Sequence, residues 1–532
     1  MRVSFAIIVF VVLLTGCDAR RAETRDNTML ICGWIAGPDG FNPLTSNNSA
    51  ATMIEYQIFT PLIDIGPNLL PRFSTSLVKE IRIEDRGRRY VLAIRNNARW
   101  SDGRPVTVDD VIFSLRVNAN PNVTQGNSAA FSLMRSVRKL DASTVEVRLA
   151  SASPPFLSNA LGVVLPLPAH ILQKYPPESA QEAAYLNSES AFAQRPIVNG
   201  PFRIKRHVSD SYLILEPNPT YWGPRATVAQ IAFRVYPQQD SLYAAVDAGE
   251  VDVTDIAPNL WSVHTRLRGN HRFVNWPWNV AFMLLPNFAD PEIAFFKERP
   301  VRQAIMFAIN REFIVRGIMN GQADILNGPF PTFSPYYNPD TQKYPYDPKR
   351  AAQLLDAAGW RLQGSVRVKD GKTLHFVLKT GGATDAVAAN IAELIQANLK
   401  AVGIDCELEN EEIGTFFSDL HNLRFSVALR GRILSTYPDD YLSVDSKQTR
   451  KQGGYNLGAY KNTEVDNAIE RARSASSPAE ARAQLKRYQE LVSVDLPVIY
   501  LYSNRLGAVV PPSLAGYALN PNSKAALPEG LQ

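Results

Sequence analysis

The stretch YVLAIRNNARWSDGRPVTVDDVIFSL, residues 90–115, changes its structural pattern twice along its length. Its first residues are rich in β-branched and aromatic side chains, which favour an extended strand. Asp102-Gly103 is a turn dipeptide. Thr107 and Asp110 have the spacing of a capping box at the start of the helical run VDDVIFSL. The stretch therefore predicts a strand, a sharp turn and a helix start in direct succession.

Three aspartates lie close together in this stretch and raise the question of catalysis. Paired carboxylates at short range are what general acid–base chemistry requires. Asp102, however, belongs to the predicted turn. Asp109 and Asp110 belong to the first helical turn, where a carboxylate stabilises the helix dipole by about 0.3–1 kcal/mol. The pattern therefore favours a structural role for all three acids.

The amino terminus has the pattern of an exported lipoprotein. Arg2 precedes an apolar run, residues 3–14, which is too short to span a bilayer but suits a signal peptide. The sequence LTGC at its end resembles the bacterial lipobox, in which the cysteine is lipidated after cleavage. We therefore expect a signal peptide over residues 1–16, a lipidated Cys17 and a polar tether over residues 17–27. This places the protein in the periplasm, anchored to the cell membrane; an ordinary secretory signal is the alternative.

Length and composition indicate an ordinary globular protein of several domains. At roughly 150 residues per domain, 532 residues correspond to about three structural units. The formal net charge is +5 and no long run of Lys or Arg occurs, which argues against a nucleic-acid partner. Besides Cys17, only Cys32 and Cys406 are present. Their wide separation favours two isolated buried thiols over a disulfide.

Strand patterns are frequent in the first half of the chain, and helical patterns are frequent in the second. The predicted strands cover residues 29–35, 88–94, 144–150, 231–237 and 404–410, with a hairpin over 201–207 and 212–218. Two helices are predicted by an apolar face at Val301, Ala304, Ile305, Ala308 and Ile309 and by a pattern over residues 384–402 that ends at Gly403. A third has Asp347 as its cap, Pro348 in its first turn and Gly359 past its end, and a fourth begins with a capping box at Ser477 and Glu480. This mixture indicates α/β lobes.

The sequence contains no recognised catalytic or metal-binding motif. A G-x-S-x-G elbow, an H-E-x-x-H pair, a phosphate-binding P-loop and a G-x-G-x-x-G turn are all missing. The six histidines are scattered, at positions 170, 207, 264, 271, 375 and 421. His264 and His271 have no acid or cysteine beside them that would complete a metal site. We therefore expect no metal, no cofactor and no enzymatic activity.

Seven segments, taken in order along the chain, resemble the family 5 extracellular solute-binding proteins, which deliver peptides, nickel complexes and opines to ABC importers. They are FNPLT with IEYQIFTPLI, the stretch at 90–115, VNGPFRI with LEPNPTYWG, YAAVDAGEVDV, VRQAIMFAINREFI, YDPKRAAQLLDAAGW and NLGAYKNTEVDNAI. The stretch at 90–115 is the most specific of the seven. The resemblance implies a large, two-lobed periplasmic-binding-protein-like α/β fold of type II that encloses its ligand between the lobes.

The resemblance also implies how the chain is divided. The expected units are lobe I at 28–275 and 496–532 with an extra subdomain at 60–195, lobe II at 276–495, and a hinge near 274–282 and 496–505. A hinge of this kind also makes physical sense, because a closing cleft desolvates a peptide main chain and satisfies its polar groups.

The function implied by the resemblance is that of a substrate-binding lipoprotein of an ABC importer. Such a protein captures peptides or peptide-like solutes and passes them to a permease and its ATPase, and we expect it to be a monomer that touches the membrane only through its lipid. A module that presents its ligand to a membrane sensor and an exported envelope hydrolase are the alternatives. The identity of the ligand (peptide, opine, metal complex or other) stays open.

Large aromatic and amide side chains are the candidates for lining the cleft. They are Trp34, Trp278, Asn279, Phe330, Tyr437 and Tyr455, together with the Asn199-Gly200-Pro201 turn. Core packing is the alternative for each, because aromatic side chains are mostly found in cores.

One stretch of lobe II departs from the pattern of the peptide-binding members, in which an Asp shortly after a Gly-Trp pair holds the free α-amine of the ligand. In the matching stretch ALRGRILSTYPDDYL (428–442), Arg432 occupies the place of the Trp, and Ser435 or Thr436 that of the acid. A hydroxyl cannot replace the charge of a carboxylate in a buried contact with an ammonium. Asp439, a few residues later, takes the amine-binding role if the alignment contains a gap.

Arg430 and Arg432 lie on one face of a strand by alternation, so both can face the cleft. A guanidinium presents a fork of donors suited to carboxylate or phosphate. We therefore predict a ligand with an anionic or blocked group rather than a plain peptide held by its amino terminus. Pairing of both arginines with acids or solvent on the outer face is the alternative.

Overall fold

The structure, a computed structural model, describes residues 29–256, 271–382, 386–450, 454–512 and 514. Its strands are β1 (Met29–Trp34), β2 (Val78–Glu84), β3 (Arg89–Ile94), β4 (Met134–Asp141), β5 (Thr144–Leu149), β6 (Phe202–Val208), β7 (Tyr212–Pro217), β8 (Gln230–Val235), β9 (Thr254–Ile256), β10 (Arg272–Pro277), β11 (Val280–Pro286), β12 (Ala323–Ile325), β13 (Arg361–Gln363), β14 (Val366–Lys369), β15 (Lys372–Thr373), β16 (His375–Gly381), β17 (Asp405–Glu411), β18 (Val427–Ile433) and β19 (Ile499–Val510). Its α-helices are α1 (Ser49–Ile58), α2 (Val108–Ala119), α3 (Ser128–Phe131), α4 (Ala169–Leu172), α5 (Ala180–Ser188), α6 (Ser190–Gln194), α7 (Gln239–Asp247), α8 (Arg299–Ala308), α9 (Arg311–Phe313), α10 (Pro348–Ala357), α11 (Ala386–Lys400), α12 (Ile413–His421), α13 (Tyr441–Val444), α14 (Thr463–Ser474) and α15 (Pro478–Asp495).

The amino-terminal predictions are not covered by these ranges. The signal peptide, the lipidation site Cys17 and the tether lie outside the described residues. Within the described part of the chain, no helix combines the length and the apolar character that crossing a membrane requires.

The first lobe is built on a four-stranded sheet in the order β1-β8-β7-β6. β1 runs parallel to β8, whereas β6 and β7 form the antiparallel hairpin that the sequence predicts. A second four-stranded sheet, in the order β2-β3-β5-β4, is antiparallel throughout and belongs to the segment predicted as the extra subdomain.

The stretch at 90–115 folds as predicted into β3, a turn and α2. The Thr107 side chain accepts from the Asp110 N–H while the Asp110 side chain accepts from the Thr107 N–H, which completes the capping box. At the turn, Gly103 has φ +89°, a backbone conformation that side chains disfavour. The Trp100 side chain behind this turn is fully buried. The local sequence therefore determines this part of the fold.

The three aspartates of this stretch have structural partners, as predicted. Asp102 contacts His170 at 2.9 Å and accepts from the Arg104 N–H. Partial burial acts to raise the pKa of Asp102, but these hydrogen bonds outweigh it and hold the pKa below its usual value. Asp109 is exposed and pairs with Lys139, and Asp110 is buried within its capping box.

A mixed sheet in the order β10-β19-β11-β18-β16-β17 forms the second lobe, and it continues towards the first lobe through β10 and through β9, which also pairs with β19, as β12 does. β16 runs parallel to both β17 and β18, as expected for strands joined by the helical connections α11 and α12. The predicted strand at 404–410 is β17, and the predicted helix that ends before Gly403 is α11.

One long strand, β19, connects the two lobes. Its first residues pair with β11 and β12, and its last residues pair with β10 and β9. The apolar cores on either side of it are separate: one side draws on residues 30–256, Trp276 and residues 508–510, and the other draws on residues 281–502. The molecule is therefore a two-lobed α/β protein whose lobes are joined by crossing strands.

Two helix-end predictions need correction. α8 ends at Ala308, so the buried Ile309 is an extended capping residue rather than part of the helical face. At α15, Ser477 caps the helix, but the Glu480 carboxylate accepts from the N–H and hydroxyl of Ser476 instead of closing the box on Ser477. Two donors on one neighbouring residue compete successfully with the single N–H of the capping residue.

Cys32 and Cys406 are both free and buried, as the sequence predicts. They belong to the separate cores of the two lobes. Burial raises the pKa of Cys406 to about 12 and raises that of Cys32 as well, so both thiols stay protonated at neutral pH.

Candidate ligand-binding site

A reciprocal pair of hydrogen bonds joins a turn of the segment predicted as the extra subdomain to the loop after β18. Asn159 Nδ2 donates to the Tyr437 carbonyl oxygen at 3.0 Å, and the Tyr437 N–H donates to Asn159 Oδ1 at 2.9 Å. Asn159 lies in a π-helical turn, Phe156–Ala160, and its own carbonyl accepts from Asn127 Nδ2 at 3.1 Å. A side-chain amide thus pairs with the backbone of the opposite lobe as a neighbouring strand would.

The crossing strands position the next segment of lobe II. The Trp278 N–H donates to the Asn504 carbonyl at 2.9 Å, and the Ser503 hydroxyl donates to the Trp278 carbonyl at 2.9 Å. Asn279 is buried, and its Nδ2 donates to the Leu434 carbonyl at 2.9 Å. Asn279 therefore ties the start of the loop after β18 to the junction between the lobes.

Arg432, near the end of β18, forms an ion pair with Asp440 of the following loop, and the two side chains are 19% and 7% exposed. Arg432 donates to Asp440 Oδ1 at 2.7 Å, and the Tyr488 hydroxyl donates to Asp440 Oδ2 at 2.7 Å. Burial acts to lower the pKa of Arg432, but the charge of Asp440 outweighs it and raises the pKa. Burial, with Asp440 close by, raises the pKa of Tyr488. Arg432 is thus paired with an acid, which is one of the arrangements that the alternative interpretation of the two arginines allowed.

Asp439 is also engaged within the protein. Its Oδ2 accepts from Arg473 Nε at 2.9 Å, and its Oδ1 accepts from the Tyr441 N–H at 3.2 Å. Burial raises the pKa of Asp439, and Arg473 opposes the shift. Asp439, which could stand in for the missing amine-binding carboxylate, is therefore already paired with an arginine, as is its neighbour Asp440.

A cavity of about 320 Å³ lies where β16, β18, β11 and β19 meet at one end of the lobe II sheet, beside α11 and α12. The rings of Phe282 and Tyr502 are stacked at 4.7 Å along one side. Gly381 is required by the packing of Phe416, because a Cβ on Gly381 would lie 2.5 Å from that ring. The cavity is thus lined mainly by aromatic and aliphatic side chains, as small-molecule sites usually are.

Two polar groups of this cavity have no partner. Arg430 Nε and Asn504 Oδ1 are buried, and neither makes a hydrogen bond. Among the described residues, the only charge that acts on the pKa of Arg430 is that of Arg432. Burial, followed by this repulsion, lowers the pKa of Arg430 to about 10. One donor of Arg430 and one acceptor of Asn504, both with almost no exposed surface, are therefore left unsatisfied beside the cavity.

The Asn199-Gly200-Pro201 turn packs against the end of α1 in lobe I. Asn199 Oδ1 accepts from the Thr60 N–H at 2.9 Å, and the Gly200 N–H donates to the Ile58 carbonyl at 2.8 Å. A Cβ on Gly200 would lie 2.5 Å from the Ile58 carbonyl carbon, so a glycine is needed here. Pro201 borders a separate cavity of about 500 Å³ on lobe I.

The predicted aromatic residues are placed in different surroundings. Trp34 is buried against Phe233, with ring centroids 4.2 Å apart. Phe330 and Tyr437 belong to the buried cluster around Tyr488. Tyr455 is 55% exposed and lies near His421 and Arg450. The structure brings Tyr437 to the contact between the lobes and Arg430 to the cavity, but it does not gather all the candidates around one point.

Asn159 and Asn504 are among the site residues that the sequence patterns do not predict. Asn159 lies in the ordinary-looking segment PFLSNALG, 278 positions from its partner, so no local pattern indicates its role. Asn504 lies within the segment predicted as the hinge, which is the one signal that could have drawn attention to it. Within the described ranges, no group of three His, Cys, Asp or Glu side chains could hold a metal ion.

Comparison with known proteins gives a consistent result over nearly the whole chain. The family model described as bacterial extracellular solute-binding proteins, family 5 Middle, matches residues 72–454. The oligopeptide-binding protein AppA of Bacillus subtilis is 26% identical over 97% of this chain and 95% of its own. Its structure in complex with a nonapeptide matches with a TM-score of 0.73 at 27% identity, covering 94% of this chain and 98% of that one.

Two more distant structures have the same fold. NikA from Brucella suis, in complex with Fe(III)-EDTA, has a TM-score of 0.77 at 21% identity and covers 94% of this chain and 99% of its own. The ABC transporter substrate-binding protein CtaP from Listeria monocytogenes has a TM-score of 0.76 at 20% identity, and the match covers 91% of this chain and 93% of CtaP. The chain therefore belongs to family 5 of the bacterial extracellular solute-binding proteins, as a non-enzymatic substrate-binding component of the peptide/nickel class of ABC transporters.

Proposed function

We propose that this protein captures peptides or peptide-like solutes between its two lobes and delivers them to the permease and ATPase of an ABC importer. The observation that carries the proposal is the likeness to an oligopeptide-binding protein along 97% of the chain. The crossing strands β10, β11 and β19 support it, because lobes that close about such a hinge can bury an extended solute and satisfy its polar groups.

The ligand is not held through a free α-amine by an acid of the loop after β18. Ser435 and Thr436 carry no charge, and Asp439 and Asp440 are each paired with an arginine. A further buried ammonium would compete with these ion pairs at a high desolvation cost. This supports a ligand whose amino end is blocked or lies away from this loop.

The proposed division of the chain into lobes follows from the same likeness to the family. Lobe I comprises residues 28–275 and 496–532, with residues 60–195 as its extra subdomain, and lobe II comprises residues 276–495. Trp278 and Asn279 then lie at the hinge, where β10 gives way to β11. Closure of the lobes brings Tyr437 against Asn159, a contact in which the backbone of lobe II takes part.

Lipidation of Cys17 holds the protein on the cell membrane in the periplasm. The support is the sequence LTGC after a short apolar leader, and Cys17→Ser together with labelled palmitate tests it. The wild-type protein should incorporate the label and the variant should not.

Native mass spectrometry of protein purified from its own host tests the capture of a solute. We expect a bound small molecule that is lost on partial unfolding, and whose return raises the melting temperature because it binds only the folded state. A protein that is always empty, and whose melting temperature no peptide mixture raises, would overturn the proposed function.

A further inference from the structure

Three arginines surround one buried carboxylate on the solvent side of the sheet β2-β3-β5-β4, and they form what we call the arginine face: Arg89, Arg138 and Arg148. Glu146 of β5 accepts from Arg138 Nε at 2.6 Å and from Arg148 Nε at 3.0 Å, and Arg89 Nε contacts it as well. The Glu146 side chain is 0% exposed, whereas those of Arg138 and Arg148 are 60% and 43% exposed. The opposite face of β5 packs its valines into the core of the lobe. Glu146 therefore lies beneath a layer of arginine side chains that meets the solvent.

The fold alone does not account for so many arginines in one place. Arg89 and Arg148 are direct cross-strand neighbours on β3 and β5, and like charges in that position destabilise a sheet. Glu84 also contacts Arg89. Of the acids that the structure describes, however, Glu146 is the only one that Arg138 or Arg148 contacts. One carboxylate thus serves two guanidiniums and part of a third, and positive charge is left in excess.

Glu146 also determines how this excess charge is presented. Arg138 and Arg148 both turn their Nε towards Glu146. Both Nη atoms of Arg138 and the Nη1 atom of Arg148 then have no acceptor in the part of the protein that the structure describes. A guanidinium held by its Nε keeps its outer N–H groups available for an oxyanion such as phosphate. The arginine face is therefore prearranged for phosphate groups.

A surface of many phosphates fits the arginine face better than a free ion does. Side chains this exposed do not enclose a small anion, whereas an array of headgroups can contact several arginines at once. The predicted anchor brings such an array close, because residues 17–28 join Cys17 to Met29, the start of β1, and a chain of that length spans at most about 40 Å. β1 shares its core with β3 and β5. The arginine face is thus within reach of the membrane.

We infer that the arginine face docks on the phosphate headgroups of anionic phospholipids in the membrane that carries the anchor. The inference rests on the proposed lipidation of Cys17, and it departs from the expectation that the protein touches the membrane only through its lipid. The distribution of charge supports it, because the exposed acids Asp405, Glu407 and Glu409 belong to β17 in the other lobe. An anionic surface attracts the arginine face and repels that edge. Docking therefore gives the anchored protein a preferred orientation.

Sedimentation with vesicles tests the docking on the mature chain, residues 17–532, carrying Cys17→Ser so that no lipid chain contributes. The protein should bind vesicles of phosphatidylglycerol and not those of phosphatidylcholine, whose headgroup has no net charge. An arginine near an anionic surface contributes about fivefold to the partition coefficient, so Arg138→Gln combined with Arg148→Gln should lower it about 25-fold. Added salt should weaken the binding, because it screens exposed charges.

Two further variants make this test specific. Arg203→Gln is the matched control, because Arg203 on β6 is 42% exposed, close to the value for Arg148, but has its own acid, Glu216, at 2.7 Å. This variant should bind the vesicles nearly as the wild-type protein does. Ser136→Arg does not depend on the loss of any contact: Ser136 is exposed and lies opposite Arg148 on β4, so an arginine there should raise the partition coefficient about fivefold.

The outcomes separate the docking from the anchor on which it rests. No binding to phosphatidylglycerol by a protein that incorporates palmitate, or equal losses for Arg203→Gln and the double variant, overturns the docking while the lipidation of Cys17 stands. Binding of inorganic phosphate that requires Arg138 and Arg148, without binding to vesicles, overturns the membrane as the occupant. Absence of both palmitate and vesicle binding overturns the anchor and this inference together.

Discussion

Two segments of the chain each bury an aspartate, but they surround it differently. In residues 98–115, Asp110 is 3% exposed and accepts from the N–H and hydroxyl of Thr107, from Trp100 Nε1 and from the Ala169 N–H, which are all neutral donors. In residues 427–441, Asp440 is 5% exposed and neutralises Arg432. The stability of the protein therefore depends more on the charge of Asp440 than on that of Asp110, although both are buried, because loss of the Asp440 charge leaves a cation inside the protein.

The largest expected effect comes from Asp440→Asn. Without its counter-charge, Arg432 is a buried and uncompensated cation, and breaking such a pair costs about 3–5 kcal/mol. Asp110→Asn should cost less, about 1–3 kcal/mol, because its four partners are neutral and an amide still accepts one or two of their hydrogen bonds. The free energy of unfolding in urea, measured for both variants, checks the order.

Two controls make this comparison decisive. Asp109→Asn changes an exposed acid paired with Lys139 and should alter the free energy of unfolding by no more than about 0.5 kcal/mol. The double variant Arg432→Gln with Asp440→Asn should regain part of the stability, because it no longer buries a lone charge. Equal losses for Asp440→Asn and Asp110→Asn would contradict the interpretation of the two segments.

The same two segments show how far the sequence predicts this structure. The strand, turn and helix at 90–115 follow from groups a few residues apart, such as Thr107 and Asp110, so local patterns suffice. Alternation predicts that Arg430 and Arg432 share a face, and their pairing opposite Met283 and Ala281 on β11 agrees. Alternation cannot predict that only Arg432 pairs with an acid, because that pairing depends on the loop held by Asn279.

Glu146, on β5, provides an intermediate case. It accepts from Arg138 Nε at 2.6 Å and from Arg148 Nε at 3.0 Å, and Arg89 on β3 contacts it as well. Burial acts to raise the pKa of Glu146, but the three arginines outweigh it and lower the pKa to about 2. The carboxylate is buried while its partners are partly exposed, unlike the enclosed pair at Asp440.

This arrangement predicts a loss of stability in acid. Because the pKa of Glu146 is lower in the folded protein than in the unfolded chain, its contribution is present above about pH 4.5 and disappears as the pH falls towards 2. After allowance for solvent around the arginines, we expect about 1–2 kcal/mol. Urea unfolding of the wild-type protein and Glu146→Gln at pH 5.5 and pH 3 measures it: the difference between them should shrink at pH 3. An equally large difference at both pH values would show that the charge of Glu146 is not the cause.

The most specific effect on function is expected where the two lobes meet. Asn159→Ala removes both hydrogen bonds to the backbone of Tyr437 without changing either core. At about 0.5–1.5 kcal/mol for each neutral hydrogen bond, the dissociation rate of the ligand that co-purifies with the protein should rise about tenfold, since an open cleft releases its solute. Asn187→Ala is the matched control, because the Asn187 amide makes the same kind of reciprocal bonds, to Thr124 and Asn122, within lobe I. Stopped-flow measurement of ligand release from the three proteins should therefore separate Asn159→Ala from the other two. If both alanine variants release the ligand at the wild-type rate, the contact between Asn159 and Tyr437 does not hold the closed state, and Asn159 serves only the packing of its own turn.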